Sequence, residues 1–242
     1  MVTQRADIIS RLQNDILHLQ GHKPANASAI DVGLDAISAG LPEGVFPTGS
    51  IHEFLTERQE GGAATSGFIA GVLSSLMGSG GMSLWISSDR KIFPPALKSF
   101  GIQPDRFIFI DLQKEREVMW AIEEALKCPA LTAVIGEMNN LSFTASRRLQ
   151  LAVEQSKVTG FILRNNIHKL NPTACASRWK ITSLSSSSAD DLPGIGFPSW
   201  RVELLRIRNG KGGTWQIKWE NNSFHTIASN SPGLQDQKRK TA

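Results

Sequence analysis

Short apolar runs alternating with helical stretches set the architecture open to this chain. Residues 51–55, 82–86, 107–110, 131–135 and 160–163 are each short, apolar and bounded by Gly, Pro, Ser or Asp, the pattern of strands buried on both faces. Between them lie stretches with helical periodicity. Residues 115–127 place Val118, Ile122, Ala125 and Leu126 on one inward face, and residues 142–157 set Leu149, Leu151, Ala152 and Val153 against Arg147, Arg148, Glu154 and Lys157. Residues 92–100 form a further apolar helix broken early by Pro94 and Pro95. Strands that alternate with helices dictate an α/β fold with a mostly parallel central sheet flanked by helices.

The ends of the chain read differently. Residues 1–29 form an amphipathic helix, with Ile8, Ile9, Leu12, Ile16, Leu17 and Leu19 on one side, followed by a linker rich in Pro, Asn and Ser. Residues 30–227 form the folded domain. Residues 228–242 have almost no apolar content and end in Lys238, Arg239 and Lys240, the composition of a disordered basic tail. Within the domain a serine-rich connection, 183–198, leads to a strand over 200–208, a turn at Asn209-Gly210, and a returning strand over 214–219. This hairpin carries Arg201, Arg206, Arg208, Lys211 and Lys218 together with Trp200, Trp215 and Trp219. Basic residues among aromatics fit single-stranded nucleic acid, held by phosphate pairing and base stacking. They equally fit a solvated charged face over a sheet whose tryptophans are core.

No apolar window reaches the length of a membrane span, and the N-terminus lacks the apolar core of a signal peptide, so no membrane contact and a cytoplasmic location are expected. Cys128 and Cys175 lack zinc-site spacing and read as small buried apolar residues. The net charge of +4 is compatible with nucleic-acid contact.

The stretch 33–77 carries the strongest chemical signal. A strand over 50–55 meets Gly61-Gly62-Ala63-Ala64-Thr65-Ser66-Gly67, and an apolar helix begins at about Phe68. Strand, glycine loop and helix are the parts of a phosphate-binding loop, G-x-x-x-x-G-K-[ST], in which backbone N–H groups cradle phosphates. Gly62, Ser66 and Gly67 keep the loop's spacing, but Phe68 stands in place of the lysine and Ile69 in place of the magnesium-binding hydroxyl. A charge-assisted hydrogen bond contributes roughly 1.5–3 kcal/mol, so loss of the lysine alone weakens nucleotide binding by one to two orders of magnitude. The loop predicts no hydrolysis, no metal and no required cofactor, with at most weak residual ATP binding. The same glycines also fit a plain tight turn between strand and helix.

Before the loop, the phrase Phe46-Pro47-Thr48-Gly49-Ser50-Ile51-His52-Glu53, preceded by a short helix from Gly33, resembles the entry to a RecA-like core and, more closely, the ImuA family of RecA-like mutagenesis proteins. The resemblance covers roughly residues 30–220. It implies a RecA-like P-loop core with a C-terminal β-hairpin. On that template Asp89 corresponds to the catalytic glutamate position, with a shorter carboxylate. The strand over 131–137 would carry the magnesium-orienting acid, but Gly136 occupies that position and Glu137 follows one residue late, turned to the other face. Both acids read as remnants. The short loop over 167–174 corresponds to a truncated DNA-binding loop.

What the resemblance implies is a non-hydrolysing accessory or scaffold protein of error-prone DNA synthesis. Its implied partners are an ImuB-like relative of the bypass polymerases, a DnaE-like polymerase, RecA and single-stranded DNA, with a homo-oligomer among the implied assemblies. Partner contact is expected at the terminal segments, including Lys238, Arg239 and Lys240. Two other readings stay open: an active RecA-like DNA-dependent ATPase, and a SulA-like cell-division inhibitor.

Overall fold

The computed structural model describes residues 32–56, 59–78, 80–165, 170–186 and 196–227. The predicted N-terminal helix and basic tail lie outside these residues. The strands are β1 (Ile51–Leu55), β2 (Ser83–Ser87), β3 (Phe107–Asp111), β4 (Ala133–Met138), β5 (Thr159–Arg164), β6 (Ser177–Ser183), β7 (Ser199–Ile207), β8 (Gly213–Glu220) and β9 (Ser223–Thr226). The helices are α1 (Gln59–Met77), α2 (Glu115–Leu126) and α3 (Phe143–Ser156). One sheet of the described residues runs in the order β3-β2-β4-β5-β1-β6-β7-β8-β9. β3 through β6 in that order are mutually parallel, and β7, β8 and β9 add antiparallel strands.

Every residue of β1, β4 and β5 is buried, which explains why these segments read as continuous apolar runs rather than alternating ones. Each central strand divides its side chains between two cores. Phe54, Trp85, Ile135, Phe161 and Trp179 face α1, while Ile51, Ile86, Val134 and Ile162 face α2 and α3. The inward face predicted for α2 is the buried one. Ser142 caps α3, its hydroxyl accepting from the Ala145 N–H at 3.1 Å. Leu151, set with the apolar residues of this amphipathic helix, is 46% exposed. The segment after Phe93 is a 3-10 turn, Pro94–Phe100, rather than an α-helix. Cys175 is buried as expected, and its thiol pKa is pushed up to about 11 by that burial; Cys128 is exposed, contrary to expectation.

The C-terminal hairpin pairs as predicted, Trp200 opposite Ile217 and Val202 opposite Trp215. It is no appendage, because β7 also pairs along β6. β9 is a further strand, beyond the predicted hairpin. Asn221 and Asn222 both hold positive φ, 52° and 57°, the geometry of a two-residue hairpin turn, and this turn sends β9 back along β8.

Candidate functional site

Where the spacing predicts a glycine loop, the backbone is helical. α1 begins at Gln59, so Gly61 and Gly62 fall in its first turn and Gly67 in its third. Inside a helix the N–H groups of Ser66 and Gly67 bond to carbonyls four residues back and cannot also cradle a phosphate. Close packing accounts for the small residue at Gly67: a Cβ there would lie 3.3 Å from the Trp200 ring and 3.4 Å from Phe100. One turn on, a Cβ at Gly71 would lie 2.4 Å from Phe224. Phe68 and Ile69, at the positions of the missing lysine and hydroxyl, have 0% exposure. Phe68 packs among Phe54, Trp179, Trp200 and Phe224. These positions are core, not solvent-facing.

A cavity of about 580 Å³ lies beside α1 at the carboxyl ends of β4 and β5, the edge where open α/β sheets hold ligands. Gly62, Ser66, Gly67 and Glu137 all line it. The structure therefore brings the predicted loop residues together with one of the two predicted acids. It corrects the orientation of that acid. A Cβ on Gly136 would meet Ile122 of α2 at 2.2 Å, so Gly136 faces the α2 side and Glu137 faces α1. Glu137 is 8% exposed, and its Oε1 accepts from the Trp85 indole N–H at 2.6 Å. Burial raises the Glu137 carboxyl above its usual range, while the Trp85 hydrogen bond and the charge of Lys91 oppose that rise. Asp89 sits exposed after β2 and is not among the cavity's lining residues. Among the described residues no group of three or more His, Cys, Asp or Glu side chains could hold a metal ion.

The hairpin separates its two residue classes. Trp200 and Trp219 are buried at 3% and 4% and Trp215 packs against the same core, so the tryptophans are core and offer no stacking platform. Arg201, Arg206, Arg208 and Lys211 are exposed. Arg206 donates to the Thr173 and Cys175 carbonyls at 3.1 and 2.8 Å, and Lys218 pairs with Glu220 at 2.5 Å. Arg206 and Arg208 border a second hollow of about 460 Å³ with Phe143 and Arg147 of α3. Lys238, Arg239 and Lys240 lie outside the described residues.

Two buried polar networks lie on β1, at positions to which the sequence pattern gives no role. Glu53 has 0% exposure. Its carboxylate accepts from Arg164 Nη1 at 2.6 Å, Arg178 Nε at 2.8 Å and the Thr173 hydroxyl at 2.8 Å. Arg178 also donates to the Asn171 carbonyl at 2.7 Å, so this cluster ties the return segment before β6 to the central strands. On the opposite face His52 Nε2–H donates to the Pro47 carbonyl at 2.7 Å, the Ser177 hydroxyl donates to Nδ1 at 2.6 Å, and Trp179 Nε1–H donates to that same hydroxyl. Burial lowers the His52 pKa to about 4, against the smaller raising effect of the Pro47 bond. The available signal is charge: Glu53 and Arg164 stand in strands buried along their whole length, and Arg178 stands in the buried first half of β6.

These features define an α/β protein with a large, mostly parallel mixed sheet, a helix-bound apolar cavity at the carboxyl edge and two buried polar locks on the first strand. No family model matches the chain. It is 31% identical over 201 residues to Protein ImuA of Caulobacter vibrioides strain NA1000 / CB15N, a match spanning 78% of this chain and 82% of that protein. Protein ImuA of strain ATCC 19089 / CIP 103742 / CB 15 matches with the same identity and coverage. The chain belongs to the ImuA family.

Proposed function

We propose that this protein is a non-hydrolysing, RecA-like accessory protein of damage-induced, error-prone DNA synthesis, linking a bypass-polymerase complex to RecA or to damaged single-stranded DNA. Family membership supports the setting. The observation that carries the loss of hydrolysis is the helical course of α1 through Gly62 and Gly67, with Phe68 and Ile69 sealed in the core. Phosphoryl transfer needs a phosphate cradle, a cation and a metal. This segment offers none of these from the expected positions. Partner contact with ImuB-like and DnaE-like polymerases is assigned to the terminal segments, and removal of residues 228–242 should weaken it without unfolding the domain. DNA contact is assigned to the exposed Arg201, Arg206 and Arg208, with Lys211 and Lys218 beside them.

The test is phosphate release from Mg·ATP by the full-length protein, with and without single-stranded DNA. Release at background in both cases is expected. Turnover that rises with DNA would refute the reading and put an active ATPase in its place.

A further inference from the structure

The cavity beside α1 has the volume of a small-molecule site, and its chemistry is not that of a phosphate pocket. Its walls include Ile92, Phe93, Leu97, Leu163 and Trp200, and among the described residues Lys91 is the one cationic side chain that lines it. Glu137 presents a buried carboxyl to this space. One oxygen is fixed by the Trp85 indole, and the other makes no hydrogen bond among the described residues. An aliphatic occupant would leave that oxygen without a donor, and an anionic one would meet the Glu137 carboxyl, with Lys91 alone among the described residues to offset it. Phe93, 68% exposed, holds an aromatic face open at the cavity wall. Ser66 and Asn165 supply further hydrogen-bonding groups.

We propose that this cavity is a binding site for an uncharged, planar heteroaromatic ring of purine size that donates an N–H to Glu137. A free nucleoside and an unstacked base of a single strand share this chemistry. The accessory-protein reading rests on lost hydrolysis, on protein partners and on DNA contact at the hairpin, so it would survive the failure of this site.

Theophylline and caffeine differ by one N–H replaced by N–CH₃ and serve as probes in calorimetric titrations of the full-length protein. Theophylline should bind at least about tenfold more tightly than caffeine, the factor expected of one net hydrogen bond. Glu137→Gln keeps an acceptor for Trp85 while removing the carboxylate, and should lower theophylline affinity by about tenfold. Ala63 is exposed and lines the cavity, so Ala63→Phe fills the space from a position that the core does not depend on and should abolish binding of both probes. No theophylline binding, equal affinity for the two probes, or binding unchanged by Ala63→Phe would each overturn the proposal. Competition by adenosine alone assigns the site to a free nucleoside, and competition by a single-stranded oligo-dA as well assigns it to a base within a strand. Competition by neither overturns the assignment to nucleobase chemistry.

Discussion

His52 makes the stability of this fold depend on pH in a window where few other side chains titrate. Its folded-state pKa lies at about 4 against 6.5 for the free side chain, because the ring is fully buried and both nitrogens are engaged as a neutral imidazole. Above pH 6.5 neither folded nor unfolded chain protonates it. As pH falls below 6.5 the unfolded state takes up a proton that the folded state refuses, so stability falls with pH until about pH 4, where the folded ring protonates too. At about 1.4 kcal/mol per pK unit the full loss is about 3 kcal/mol, of which about 2 kcal/mol has gone by pH 5. With a urea dependence of about 2 kcal/mol per molar, the unfolding midpoint should fall by about 1 M between pH 7 and pH 5. Tryptophan fluorescence reports the transition. His52→Gln removes the titrating ring, and carboxylates elsewhere contribute equally to both proteins, so the difference between the two pH slopes isolates His52. Parallel slopes would rule out His52 as the source of this dependence, as would ring NMR signals showing His52 protonated in the folded protein at pH 5.

Glu53→Ala leaves Arg164 and Arg178 buried without their carboxylate and should cost about 3–5 kcal/mol in urea unfolding; a loss below 1 kcal/mol would mean that the cluster is not a lock. Phe68→Lys restores the residue type of a phosphate loop, but at a site with 0% exposure, and should unfold the protein rather than confer nucleotide binding; a folded variant that binds Mg·ATP would contradict the core assignment. Gly71→Val forces side-chain atoms into the Phe224 ring and should destabilise by about 1–3 kcal/mol, measured as a lowered melting temperature. Arg201→Glu combined with Arg208→Glu should weaken binding of single-stranded DNA and flatten its salt dependence; an unchanged salt slope would remove this face from the DNA path.

Much of the parallel sheet is legible in the sequence, because strands covered on both faces leave continuous apolar runs and the helices between them keep a clean apolar stripe. α2, with Val118, Ile122, Ala125 and Leu126 inward, is such a case. The start of α1 is not legible. Local propensity penalises glycine in a helix by about 1 kcal/mol each, which argues for a loop over residues 61–67; the opposing term is tertiary, since Trp200, Phe100 and Phe224 lie more than twenty residues away in sequence and need those glycines bare. The orientation of Glu137 was hidden for a similar reason: only the packing of Ile122 onto Gly136 fixes which face of β4 carries the acid. β9 escapes because four residues behind an Asn-Asn turn give too short a pattern. The buried charges of Glu53, Arg164 and Arg178 follow no apolar period, so the sequence offers their identities but not their meeting.

The glycines of α1 also impose an order on synthesis. α1 is complete on the ribosome by residue 77, yet two of the rings that cover its bare face, Trp200 and Phe224, are made only with β7 and β9. Until then the face that Gly67 and Gly71 keep bare lacks two of its packing partners. The nascent protein must therefore carry part of that apolar surface uncovered until β9 has been made, and folding must close over a long sequence separation, a slow step by nature. A ribosome stalled before residue 224 would hold a chain open to chaperones and proteases along α1, so the abundance of this protein in cells should respond to the rate at which its last strands are made.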